Sequence, residues 1–239
     1  MTSPARFTKG VTNVGSSTNL GQLLVPAPTV LHEWFDDFHQ FVPGDWFITR
    51  IGVGATAGKE TITDADGGVL AVYPYNADND STFLEWKGAQ NVTTASEIFA
   101  FEAGKKLWFM TRLKVSNTGS GDFYIGLKSA DTTPLTSPAD GVWFQSDDAD
   151  DNLDFHVYAS SVSILADTAI TTLVDDTYFT CGFYFDGGKL YYYVNDVEVG
   201  SSGGLAVSTN ALTISFGVRN GSTTARTMSV DYIYAAKER

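Results

Sequence analysis

From Trp46 onward the chain is a succession of short runs in which apolar and polar positions alternate, broken by Gly, Asn, Asp and Ser. A period of two marks a strand with one buried face. Trp46–Ile51 is bounded by Gly44 and Gly52, and Gly68–Tyr75 ends at Pro74. Ser81–Trp86 alternates modestly. In Leu107–Val115, positions Leu107, Phe109, Thr111, Leu113 and Val115 share one side, with Arg112 and Lys114 on the other. Phe123–Leu127, Gly141–Gln145, Leu153–Tyr158 and Tyr178–Phe185 follow. Lys189–Val194 and Val197–Val199 flank Asn195-Asp196, the pattern of a tight hairpin. Leu212–Val218 and Met228–Ala235 close the series. Thr93–Phe101 alone suggests a short helix, with Ile98 and Phe101 at i, i+3 before Gly104. About ten to thirteen strands without helical crossovers predict an all-β sandwich or barrel. No internal repeat or linker divides residues 33–239, which read as one domain.

Residues 1–32 differ. Pro4, Pro26, Pro28, Gly10, Gly15 and Gly21 interrupt them, and Leu23, Leu24, Val25, Val30 and Leu31 follow no helical period. They read as an extended arm that lies against its own domain or a neighbour.

Charge sharpens the division. Of 239 residues, 28 are acidic and 15 basic, for a net charge of −13. Every acid falls at or after Glu33, while the arm carries only Arg6 and Lys9. An acidic body repels phosphate backbones, which excludes nucleic-acid binding through a broad basic face. The acid-free arm suits an anionic protein surface. With 16 Phe, 11 Tyr and 5 Trp the chain fills a sizeable core. Its one cysteine, Cys181, excludes an intrachain disulfide and a cysteine-based zinc cluster. No apolar run is long enough to cross a bilayer as a helix, and the N-terminus lacks the pattern of a secretory signal, so a soluble chain made in the cytoplasm is expected.

Phe183–Gly200 (FYFDGGKLYYYVNDVEVG) resembles the strand–turn–strand centre of a concanavalin A-like, LamG-type jelly roll. Leu212–Ala235 resembles the last two strands of that superfamily, and Trp34–Trp46 its first. The implied fold is a concanavalin A-like jelly-roll β-sandwich behind an extended N-terminal arm. A narrower likeness joins Met1–Asn13, Leu20-Gly21, Pro26–Pro28 and Phe35–Trp46 to capsid decoration (cement) proteins of tailed phages. It implies a structural protein on the outer surface of a virion head, bound to the major capsid protein and to itself as a dimer or trimer on capsid symmetry axes. Arg6, Phe7, Lys9, Leu20, Leu23, Leu24 and Val25 are the candidate capsid or neighbour contacts.

Candidate chemistry is sparse. Glycosidases of this fold flank the scissile bond with two carboxylates, commonly as E-x-D-x-x-E, and no such pattern occurs; Glu85 stands alone before Trp86. His32, His39 and His156 form no metal or nucleophile motif. No catalytic residue is assigned, and the expectation is a chain that is not an enzyme and has no cofactor other than a candidate calcium ion. That ion would sit at Asp147, Asp148, Asp150 and Asp151, whose carboxylates are hard oxygen ligands, although the D-x-D-x-D-G register is missing and a solvated loop is the simpler reading. Trp86 and Trp143 are candidate sugar-stacking residues for the alternative function, a carbohydrate-binding lectin-like module, or else part of the core.

Overall fold

The computed structural model describes residues 31–53, 58–63, 67–88, 97–136, 138–204 and 207–239. Its strands are β1 (Leu31–Asp36), β2 (Trp46–Ile51), β3 (Lys59–Thr63), β4 (Val69–Tyr73), β5 (Ser81–Trp86), β6 (Leu107–Val115), β7 (Gly121–Lys128) and β8 (Gly141–Ser146), followed by β9 (Asn152–Ala159), β10 (Val162–Thr172), β11 (Phe179–Phe185), β12 (Lys189–Val194), β13 (Val197–Gly203), β14 (Thr213–Asn220) and β15 (Met228–Glu238). They form two antiparallel sheets. One runs β13-β12-β11-β6-β15-β4-β3, with β1 also on β15; the other runs β10-β9-β8-β7-β14-β5-β2. The chain crosses between sheets at β1–β2–β3, β4–β5–β6–β7, β10–β11 and β13–β14–β15, which makes a jelly-roll sandwich.

Alternation places the core. Leu153, Phe155 and Val157 of β9 point inward, as do Phe179, Cys181, Phe183 and Phe185 of β11. Phe155 stacks on Tyr192 of β12 with ring centres 4.1 Å apart, tying one sheet to the other. Burial pushes the Cys181 thiol well up, so it stays protonated and inert. The hairpin over Asn195-Asp196 forms as its sequence predicts: both residues have positive φ (49° and 63°) and Val194 pairs with Val197.

Three readings change. Residues 93–96 of the expected helix lie outside the described residues, and Glu97–Phe101 is not helical: Phe99 bridges Leu212, and Phe99 and Phe101 both bury, a period of two. β1 takes in Leu31 and His32, assigned above to the arm, by pairing them with Glu238 and Lys237 of β15. Strands β3 and β10 had no clear period. β3 is a mostly exposed edge strand, and β10 is an edge strand whose pairing with β9 shifts register twice. Among the described residues, no helix is long and apolar enough to cross a membrane.

Candidate functional site

One departure from simple alternation leads to a site. β7 lies within a sheet, so every second residue should face outward, yet all of Gly121–Lys128 is buried. On the outer face of the seven-stranded sheet, cross-strand pairing sets large residues beside small ones. One row runs Glu85, Ser215, Gly126, Trp143, His156; the next runs Phe83, Gly217, Tyr124, Gln145, Asp154. Glycine is required where the aromatics lie flat on the sheet. A Cβ on Gly217 would come within 2.6 Å of the Phe83 ring, and one on Gly126 within 2.6 Å of the Trp143 Cα. Phe83, Tyr124 and Trp143 thus form a small second core outside the sheet, with Leu135 and Tyr158 packed against it.

Glu85 and Lys128 are both buried in that layer. Lys128 is 1% exposed, and its Nζ lies 4.6 Å from the centre of the Tyr124 ring and 4.1 Å from that of Trp143. The ammonium donates to the Pro134 carbonyl. Burial drives the Lys128 pKa down to about 7, against the opposing pull of Asp131 and Glu85. Glu85 accepts the Asp131 N–H at 2.7 Å, and burial raises its pKa to about 7. A carboxyl that holds a proton near neutrality is a proton donor, and a lysine that sheds one is a base. Alongside them, the Tyr124 hydroxyl pairs with Ser215 Oγ at 2.8 Å, and burial lifts its pKa well above the ordinary tyrosine value.

Polar groups lead from this layer to the surface. Trp143 Nε1 donates to Gln145 Oε1 at 2.8 Å, and Gln145 Nε2 donates to Asp147 Oδ1 at 2.5 Å. His156 stacks on Trp143 (5.3 Å, 19°), and its Nε2 has no hydrogen-bond partner among the described residues. Burial lowers the His156 pKa, so the ring is neutral at pH 7. The layer thus has a buried aromatic floor with an amide and a carboxylate in line at its margin, hydrogen-bonding groups of the kind that fix a ligand's orientation.

The sequence-derived candidates fall as follows. Trp143 is on this floor, 2% exposed, with Lys128, His156 and Tyr158 against its ring. Trp86 lies on the opposite, inward side of the sheet, half-buried against Trp34, so the two tryptophans do not share a surface. The acidic loop does not converge. Asp147 accepts from Gln145, Asp150 from Asn152, and Asp151 from the Thr118 hydroxyl, while Asp148 packs against Gly221. Among the described residues, no group of three or more histidine, cysteine or carboxylate side chains is placed to hold a metal. Arg6, Phe7, Lys9, Leu20, Leu23, Leu24 and Val25 lie outside the described residues. Lys128 was not singled out from the sequence; its one signal was a charge ending the apolar run Phe123–Leu127.

No known family profile matches the chain, and no curated protein sequence matches it. Among solved structures it is similar to a β-glucanase of Bacillus licheniformis (13% identity, TM-score 0.57, covering 85% of this chain and 97% of the other). It is also similar to an endo-β-1,4-glucuronan lyase of the fungus Trichoderma reesei (9%, 0.56, 85% and 94%). A third is the potassium-bound carbohydrate recognition domain of Emp46p (8%, 0.54, 84% and 94%). At such identities the likeness is one of fold. It corrects the expectation of a chain that is not an enzyme: that reading rested on a missing carboxylate motif, and the architecture is one that glucanases and a lyase share. The fold is the concanavalin A-like jelly-roll sandwich.

Proposed function

We propose that this protein binds a polysaccharide of neutral pyranose units on the outer face of its seven-stranded sheet. The observation that carries the reading is the line Trp143–Gln145–Asp147 on and just beyond β8, which joins an aromatic floor to hydrogen-bonding groups at its margin. The glucanases and the carbohydrate recognition domain that share the fold support the ligand class. The net charge of −13 disfavours polyanionic chains and so favours neutral glucans over uronans.

Calorimetric titration of the full chain with laminarin, mixed-linkage β-glucan and glucuronan tests this. Gln145→Ala, at a partly exposed position, is expected to weaken glucan binding about tenfold while leaving the fold intact. Glucan affinity unchanged in both Gln145→Ala and Tyr158→Ala overturns the site. Reducing-end release from the same polysaccharides reads turnover, and any turnover is expected to fall in Glu85→Gln, since that substitution removes a proton donor buried beside the floor.

The division of charge favours a second reading, decoration of a tailed-phage head with the major capsid protein as partner. In it the acid-free residues 1–30, with Arg6, Phe7 and Lys9, would grip the shell while the acidic body keeps free copies apart. Deletion of residues 1–30 is then expected to abolish attachment to heads. Undiminished attachment removes this reading.

A further inference from the structure

The floor is shut. Tyr124, Lys128 and Trp143 stand on the outside of a sheet and are buried because Ser129–Thr136 lies across them. The segment has a fixed base, since Ser129 N–H donates to the Asp140 carbonyl at 2.9 Å, and the Asp140 carboxylate accepts from Ser160 N–H and Asn210 Nδ2. It also holds its own shape. Asp131 Oδ1 accepts from the Thr133 N–H at 2.8 Å, and Thr136 N–H donates to the Thr133 carbonyl at 2.8 Å. Its ties to the protein beneath run through side chains: Lys128 to the Pro134 carbonyl, Asp131 N–H to Glu85, Ala130 N–H to Glu97, and the apolar foot Leu135 on the aromatic layer. A piece with a firm hinge, a firm tip and side-chain ties between them moves as a unit.

We propose that residues 129–136 are a flap that lifts about the Ser129–Asp140 base to admit carbohydrate to Trp143 and Tyr124, with Glu85 and Lys128 as its catch. The inference rests on the carbohydrate reading above and adds how that site is reached.

Closing the flap takes water from both catch residues, so closure is linked to protons. Asp131 and Glu97 from the neighbouring loops, Lys128 and the Tyr124 hydroxyl face Glu85; Asp131, Glu85 and the neutral His156 face Lys128. Burial raises the Glu85 pKa, so the closed form binds a proton that the open form releases, and acidification below neutrality holds the flap down. Burial lowers the Lys128 pKa, so the closed form has shed a proton that the open form keeps, and alkali above neutrality also favours closure. The flap is loosest near pH 7.

Hydrogen exchange of the amides of Ala130–Thr133, Leu135 and Thr136 in the full chain, corrected for intrinsic rates and compared at acid, neutral and alkaline pH, reads closure. Hydroxyl-radical footprinting of Trp143 and Tyr124 reads access to the floor. Protection is expected to be lowest near pH 7, and Glu85→Gln to abolish its rise on the acid side. Leu135→Ser, which removes the foot, is expected to raise Trp143 labelling and to tighten laminarin binding about threefold or more, by lifting the closed population's toll on affinity. Laminarin binding in the wild type with exchange at 130–136 unchanged at every pH and Trp143 unlabelled overturns the flap and leaves the carbohydrate reading standing. Higher Trp143 labelling in Leu135→Ser with laminarin affinity unchanged shows that the segment lifts but that carbohydrate does not bind beneath it.

Discussion

Lys128 and Trp143, on adjacent strands of the seven-stranded sheet, are held with the ammonium 4.1 Å from the indole ring centre, both of them buried. A desolvated cation–π contact is worth about 2 kcal/mol, and burial, against the pull of Asp131 and Glu85, drives the Lys128 pKa down to about 7. The protein therefore carries a cation on this face that its surroundings do not fully compensate.

Stability then depends on pH with a definite sign. An unfolded lysine titrates near 10.5, so between about 7 and 10.5 the unfolded chain holds a proton that folded Lys128 has lost. Stability rises with pH across that window, by at most about 1.4 kcal/mol per unit, and the gain is lost as pH falls through about 7. Lys128→Met keeps the bulk and is expected to flatten the rise. Urea midpoints of both proteins at neutral and alkaline pH measure it; equal slopes would refute the assignment.

Glu85 acts in the opposite direction. Its pKa rises from 4.5 to about 7 on folding, so between those values the folded chain binds the extra proton. That contribution is complete below about 4.5 and disappears as pH rises through about 7. Relative to Glu85→Gln, the wild type is expected to gain stability on going from neutral to mildly acid solution. Chemical unfolding of the pair in matched buffers checks this, and a constant difference between the two proteins would count against a raised Glu85 pKa.

How much of this was legible in the sequence follows from what each signal encodes. A strand with one wet face announces itself, and Leu107–Val115 has the same ends in the sequence as in the structure. β10 was hidden because its bulges break the period, with Ala169 at φ 58° in the second irregularity. Glu85 was visible as an acid in an apolar run, but its partnership with Lys128 is not local. It arises because β14 lies between β5 and β7, and because a loop 44 residues or more beyond Glu85 folds back over both. Alternation says which side a residue faces; it does not say that the outer side will be covered.

The β12–β13 turn offers a local test of the hairpin. Asp196 sits at φ 63°, in the left-handed region that costs a side-chain-bearing residue energy, and glycine is the preferred second residue of this turn type. Asp196→Gly is expected to stabilise the protein by about 0.5 kcal/mol, the steric relief being partly offset by the glycine's greater freedom when unfolded. Thermal midpoints of the two proteins decide it, and a clear loss of stability would mean that Asp196 is held by something other than the turn.

The packing of the outer aromatic layer depends on Gly126 lacking a side chain. An added Cβ would stand 2.4 Å from the Val142 carbonyl oxygen and 2.6 Å from the Trp143 Cα, both backbone atoms of the neighbouring strand. They cannot retreat without disturbing the pairing of Gly126 with Trp143 and of Leu127 with Val142. Gly126→Ala is therefore expected to cost about 1–3 kcal/mol and to shift Trp143 against Lys128. The near-ultraviolet circular dichroism of the tryptophans should change as the urea midpoint falls. Gly44→Ala is the control, because its Cβ would meet nothing within 4 Å, and it should leave both readings in place. If the two substitutions behaved alike, β7 and β8 would not be as closely apposed as this layer demands, and the flat seating of Trp143 on the sheet would have to be abandoned.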